Sequence, residues 1–241
     1  MNEFKRLCIS FALIGISTCN HADSSPNIAI DVGHSRLSPG AISARGKPEF
    51  EFNADLAKSL QSVLDSHNIM SFFIGEDGDM VDINQRTAKA NANNASLLLS
   101  IHHDSAQPQY LNKWTWRHKT LSYGDNFSGF SLFISRKNPQ LEKSLDCARM
   151  IGKALKRNGF TSSNHHAQPI NGENRQWADK SAGVYYYDDL IVLKTAKMPA
   201  VLLEAGVIIN RNEEQDLQTD STRNLIASAI TEGIEHCFGL K

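Results

Sequence analysis

The sequence predicts an α/β protein: a single domain built on a mostly parallel, twisted sheet with helices on both faces. Three observations predict it. Apolar runs without polar alternation recur along the chain. Amphipathic helical patterns separate them. No Pro- or Gly-rich linker divides the whole. Strands buried on both faces read as continuous apolar runs, and intervening helices supply the crossovers that parallel pairing requires. In chain order the strands are "IAID" at 28–31, "MSFFI" at 70–74, "SLLLSI" at 96–101, "FSLFIS" at 130–135 and "AVLLEA" at 200–205. Apolar residues at helical spacing predict helices over 53–66, 84–93, 140–158 and 221–238. The stretches 106–126 and 158–182 are polar and read as long loops, the kind that carry function in a compact domain.

Composition excludes several classes. A chain of 241 residues with 41% hydrophobic and 21% charged residues can bury a real core. Its formal net charge of −1 gives no electrostatic case for nucleic acid or for an anionic lipid surface. The first residues differ from the rest. Basic "MNEFKR" precedes the apolar "LCISFALIGIST", too short to span a bilayer and of the length of a signal-peptide core. We read residues 1–22 as a signal peptide, with cleavage between Thr18 and Ser25, and residues 27–241 as the folded domain. A lipid anchor at Cys19 is the rival reading, although Thr18 stands where a smaller residue is usual. Export to the periplasm or cell envelope follows from either, with no transmembrane helix in the mature chain. An oxidising compartment then leaves Cys147 and Cys237, both in helical patterns, to pair with each other or to remain buried thiols.

Candidate chemistry gathers at the strand ends. His34 follows the first strand in "IAIDVGHS". His102 follows "LLLSI" directly, and Glu204 lies near the end of "AVLLEAG". Ligands of open parallel sheets bind beyond the carboxyl ends of the strands, so three polar groups from three strands would emerge at one edge. "GKPEFEFNADLAKSL" adds Glu49 and Glu51 at a helix start, where either could merely complement the helix dipole. Two histidines and one carboxylate form a recognised catalytic zinc set that leaves a position for water.

These segments resemble, in order, the zinc-dependent N-acetylmuramoyl-L-alanine amidases of the Amidase_3 family. "IAIDVGHS" resembles the family's first zinc-histidine motif and "PEFEFNADLAKSL" its Glu-x-x-x-Asn-x-x-x-Ala helix entry. "DINQRTAKANANNASLLLSIHHDS" and "LIVLKTAKMPAVLLEAGVIINRNEEQDL" resemble its two longer blocks. The resemblance spans about residues 27–238. It implies Zn2+ as cofactor, His34, Glu49 and His102 as ligands, and Glu204 as the catalytic carboxylate. The spacing to Asn53 selects Glu49 over Glu51. It also implies peptidoglycan as substrate, cut between N-acetylmuramic acid and the L-alanine of the stem peptide. Ser35 and His103 depart from the family pattern without removing a ligand. The alternatives are a zinc peptidase cutting within the stem peptide and a non-catalytic peptidoglycan-binding module. Some members carry a helix that plugs the zinc site. Here the segment after "FSLFIS" carries a core-type apolar stripe, so an open cleft and an enzyme active without an activator are expected, with loop cover by 159–183 as the remaining means of closure.

Other polar residues have plainer readings. His165 and His166, adjacent in "SSNHHAQP", read as a solvated loop. In "KWTWRH" alternation suggests one Trp packed and one outward. "YYYDD" at 185–189 is expected to pack on the sheet. "EEQDLQ" at 213–218 reads as a solvated helix start, and Arg86 as a residue orienting the second strand through a buried ion pair. Asp31 and Asp104 are candidate partners for the ligand imidazoles.

Overall fold

A computed structural model describes residues 25–240. The expected signal peptide at 1–22, Cys8 and Cys19 lie outside the described residues. Strands β1 (Asn27–Val32), β2 (Met70–Ile74), β3 (Leu97–Asp104), β6 (Ser131–Ile134), β7 (Trp177–Asp179), β8 (Val184–Tyr186) and β9 (Ala200–Val207) form one sheet in the order β2-β1-β3-β9-β6-β8-β7. Pairing is parallel from β2 through β9 and between β6 and β8. It is antiparallel between β6 and β9 and between β7 and β8. The carboxyl ends of β1, β3 and β9 therefore open on the same edge.

Helices cover both faces, as the apolar runs require. Ile28, Ile30, Leu97, Leu99, Val201 and Leu203 point to one face and pack with α1 (Glu49–Ser66), α3 (Leu141–Arg157) and α6 (Asp220–Phe238). Ala29, Leu98, Ala200 and Leu202 point to the other, under α2 (Ile83–Ala92) and α4 (Ile191–Lys194). Each leucine shut away from water on these strands contributes about 1.5–3 kcal/mol. A disulfide joins Cys147 of α3 to Cys237 of α6, so of the two fates open to these thiols the structure shows pairing. Helix ends follow local chemistry: the Asp82 side chain accepts from Asn84 N at the start of α2, and α6 stops at Gly239 in the left-handed conformation.

Several sequence readings need correction. The stretch 106–126 is not a plain loop, because β4 (Asn112–Trp116) and β5 (Lys119–Tyr123) form a separate hairpin. Its two-residue turn places Arg117 and His118 both at positive φ, a geometry usually announced by Asn or Gly. Trp114 and Trp116 are two residues apart on a strand and so share a face. They stack on each other at 5.4 Å with Arg45 over both rings, so neither simply points outward. The 158–182 stretch contains β7, and Tyr185 packs on the sheet as expected. Residues 213–218 do open a helix, α5 (Glu213–Leu217), and Gln215, Asp216 and Gln218 are exposed, but Glu214 and Leu217 face inward. Glu214 is fully buried, accepting from Ser43 Oγ at 2.7 Å and Arg45 Nη1 at 2.8 Å. Among the described residues no helix is long and apolar enough to cross a membrane.

Candidate active site

β1 ends in Val32, Gly33 brings the chain round, and His34 takes a left-handed backbone conformation at φ 69°. Such a conformation is costly for a residue with a Cβ and persists only where its surroundings hold it. Arg86 supplies the hold. Buried on α2, its guanidinium donates to Asp31 Oδ1 at 2.7 Å, to the carbonyls of Val32 and His34, and to Met80 O at 2.9 Å. The ion pair expected of Arg86 is thus made to β1, the strand that leads to His34, and not to the second strand. Gly33 is needed for space as well, since a Cβ there would stand 2.3 Å from His102 Nε2.

Glu49 occupies the first turn of α1 but does not serve its own helix end. Its Oε2 accepts from Ala41 N at 3.0 Å, and its Oε1 meets His34 Nε2 and His102 Nδ1, each at 3.0 Å. Asn53, one turn along, donates to Glu49 Oε1 and to Gly33 O. Burial alone would raise the Glu49 pKa. The hydrogen bonds and charges of His102 and His34 outweigh it and hold the carboxyl well below its usual range. Glu51, the rejected candidate, is exposed on the same helix. The three donors of His34, Glu49 and His102 lie within 4.8 Å of one another. Neighbouring His103 points to the opposite sheet face, bonded through Nδ1 to Asn53 Oδ1, and burial pushes its pKa down to about 3.

Glu204 stands on β9 in register with His102. Its Oε2 is buried and has no hydrogen-bond partner. Burial, with the charges of Asp104 and Glu49 added, raises its pKa well above the ordinary carboxyl range. Neither aspartate considered as a partner for the candidate ligands His34 and His102 takes that part. Asp31 is engaged by Arg86 and Ser100 Oγ, and Asp104 turns to two other histidines.

Those histidines overturn the reading of a solvated loop. His165 and His166 lie in a single 3₁₀ turn, are 5% and 8% exposed, and bring both Nε2 atoms to Asp104 Oδ2 at 3.2 and 2.8 Å. The signal was adjacency of two histidines in a polar stretch. What sequence cannot give is the tertiary docking that buries them against Phe127 and Phe133.

Comparison with known proteins agrees with this layout. The Amidase_3 family model, described as N-acetylmuramoyl-L-alanine amidase, matches residues 28–236. N-acetylmuramoyl-L-alanine amidase AmiA of Escherichia coli K12 is 24% identical over 225 residues, covering 88% of this chain and 75% of that protein. An endolysin of Bacillus phage SPP1 is 29% identical over 213 residues, covering 88% of this chain and 66% of its own. Among solved structures, the amidase Ami1 of Mycobacterium smegmatis superposes with a TM-score of 0.69 at 20% identity, over 90% of this chain and 98% of that one. The catalytic domain of CwlV from Bacillus (Paenibacillus) polymyxa gives 0.67 at 23% identity, over 90% and 99%. These likenesses show that the fold is shared.

Proposed function

The chain belongs to the Amidase_3 family of N-acetylmuramoyl-L-alanine amidases, hydrolases of the peptidoglycan amide between N-acetylmuramic acid and L-alanine, and we propose that it works with zinc held by His34, Glu49 and His102 and with Glu204 as acid–base. The observation that carries this is the convergence of His34 Nε2 and His102 Nδ1 on one oxygen of Glu49, each at 3.0 Å. Donors of a tetrahedral zinc site with bonds of about 2.0–2.1 Å stand about 3.3 Å apart; both separations to Glu49 Oε1 lie near that value, and all three donors lie within 4.8 Å of one another. Two imidazoles and a carboxylate also match the donor set of zinc hydrolases.

Zinc bound there would polarise the scissile carbonyl and acidify a water molecule. The protein's own work is placement and proton transfer. Arg86 fixes the turn that carries His34, and Asn53 ties the Glu49 carboxylate, at the start of α1, to the Gly33 carbonyl. Their rigidity supports a hydrolytic geometry with little reorganisation. Glu204, on a sheet strand and not on a loop, can take a proton from water and return it to the leaving amine. Its Oε2, buried and without a hydrogen-bond partner, is the atom available for that transfer. The side chains of His34 and His102 retain 29% and 16% exposure, so a substrate can reach this cluster. A cavity of about 160 Å³ lined by His34, Ser38, Met80, Val81 and Ile83 adjoins it.

The basic and apolar start of the sequence supports export, with removal of residues 1–22 or lipidation at Cys19, to the compartment where peptidoglycan lies. The segment after β6 is occupied by α3, whose Leu145, Ala148, Ile151 and Leu155 are buried in the core and supply the apolar stripe. That supports an uncovered cleft and turnover without an activator. The test is digestion of purified peptidoglycan with and without a chelator, followed by mass analysis. Stem peptides with a free L-alanine N-terminus, formed only without chelator, are the expected products. Cuts confined to the stem peptide would make the protein a peptidase, and chelator-resistant cleavage would remove zinc from the reaction.

A further inference from the structure

We propose that Asp104, His165 and His166 form a second divalent-cation site, separate from the first cluster and built to fasten the 159–183 loop to the end of β3. The proposal does not depend on the zinc ligands assigned above. It starts from a buried arrangement that hydrogen bonding alone leaves incomplete. Two neighbouring imidazoles, ring centroids 3.9 Å apart, both present Nε2 to one carboxylate oxygen. His166 makes a hydrogen bond to it at 2.8 Å. His165 Nε2, 3.2 Å away, is not aligned for one and is left buried without a hydrogen-bond partner. A buried nitrogen aimed at a carboxylate without bonding it is costly, and a cation between the donors removes the cost.

The donor geometry fits. The three ligand atoms lie within 4.8 Å of one another, and the separations of 2.8 and 3.2 Å approach the roughly 3.3 Å edge of a tetrahedral zinc site. The outer ring nitrogens are also held as metal-bound imidazoles require. His166 Nδ1 faces Glu173 Oε2 at 2.9 Å, and His165 Nδ1 faces Ser163 Oγ at 2.7 Å. Such partners fix the tautomer that leaves Nε2 free to ligate. Glu173 is itself bonded by Gln107 Nε2, and the Tyr185 hydroxyl donates to Ser163 O. Nitrogen-rich donors favour zinc and its first-row neighbours over magnesium or calcium.

Burial separates the roles of the two clusters. The His165 and His166 side chains are 6% and 10% exposed, well below His34 at 29%. With donors this buried, the second cluster is suited to tying chain segments together, its three protein donors leaving one position for a water molecule, whereas the more exposed first cluster can admit substrate. Access for an ion remains, because His165 also lines a cavity of about 310 Å³ together with Asn126, Ser163, Asn164 and Gln168.

The test is equilibrium dialysis of the chelator-stripped full domain against zinc alone, with metal counted by mass spectrometry. Wild type is expected to hold two zinc ions per chain, and Glu49→Ala and His166→Ala one each. A wild type holding one ion that Glu49→Ala loses and His166→Ala keeps would overturn the second site and leave the first intact. One ion lost by His166→Ala and kept by Glu49→Ala would do the reverse. Because a variant can fail to fold, the wild type is also titrated with zinc while its imidazole nitrogens are followed by NMR. Shifts of the His165 and His166 Nε2 resonances on the second equivalent support the site; unchanged resonances at saturating zinc refute it.

Discussion

Two clusters of paired histidines share one sheet edge, and they are built in opposite ways. In the first, His34, Glu49 and His102 come from three separated elements, each placed by a strand end or a helix start. In the second, His165 and His166 are consecutive residues of a loop, brought to Asp104 by one turn of 3₁₀ helix. The first is held by a strained residue and a buried arginine and remains open to solvent. The second has no comparable backbone strain among its ligands and is sealed by aromatic rings. A site that must admit substrate gives up burial and needs rigid outside support. A site that only ties chain segments together can be buried by them.

The largest effects should fall on the open cluster. Glu49→Ala removes the oxygen on which both imidazoles converge, so zinc occupancy there and peptidoglycan cleavage are both expected to vanish. Glu204→Gln should leave the metal in place while lowering kcat by roughly 10²–10⁴-fold, the usual contribution of a general acid–base. Metal analysis beside turnover separates the two. A Glu204→Gln protein that loses zinc would make Glu204 a ligand, and full turnover would remove it from the chemistry.

Next in size is the support behind His34. Arg86 and Asp31 are 5% and 1% exposed, and Arg86 also satisfies three backbone carbonyls. Arg86→Leu strips one partner from a buried ion pair, which costs about 3–5 kcal/mol. Urea denaturation should show that loss, and zinc affinity at the first cluster should fall with it. Glu49→Ala, by contrast, should lose zinc without so large a fall in stability of the metal-free protein. A loss under about 1 kcal/mol in Arg86→Leu, the range of exposed ion pairs, would mean that Arg86 is dispensable to the fold.

The same contrast explains what could be read in the sequence. Strand ends and helix starts are periodic features, so the sheet, its helices and the positions of His34, Glu49, His102 and Glu204 at one edge were legible. Glu49 could be preferred to Glu51 only through the family's spacing to Asn53, and the structure gives the physical reason: Asn53 bonds Glu49 and the Gly33 carbonyl together. The burial of His165 and His166 was not legible, because it depends on Phe127 and Phe133 arriving from distant segments. The β4–β5 hairpin was missed because Arg117 and His118 occupy a turn without its usual residues. Glu214 reads as a solvated charge in the sequence because nothing local announces its partner Arg45, far away in the chain.

A smaller effect sharpens the comparison by way of a carboxylate that histidines do not answer. Glu49 and Asp104 each face two imidazoles, and both have pKa values below the ordinary range despite burial, which alone would raise them. Glu213, at the start of α5, is answered by backbone N–H groups, with Gly129 N donating to Oε1 at 2.9 Å and to Oε2 at 3.2 Å. There burial wins. The pKa rises to about 7, with the charges of Asp104 and Asp216 adding to the rise and the N–H groups of Gly129 and Val207 opposing it. The sign follows from linkage: the folded state binds this proton more tightly than the unfolded chain. Stability from Glu213 is therefore complete below pH 4.5, declines as pH rises toward 7, and is lost above it. Glu213→Gln keeps an acceptor for Gly129 and cannot ionise. In chelator, it is expected to match wild type near pH 4 and to exceed it by about 3 kcal/mol at pH 8, from a shift valued at about 1.4 kcal/mol per unit. Urea denaturation at the two pH values measures the difference. Equal stabilities at pH 8 would show that the amide groups at Gly129 and Val207 suffice to hold a buried carboxylate, and that imidazoles are not what sets Glu49 and Asp104 apart.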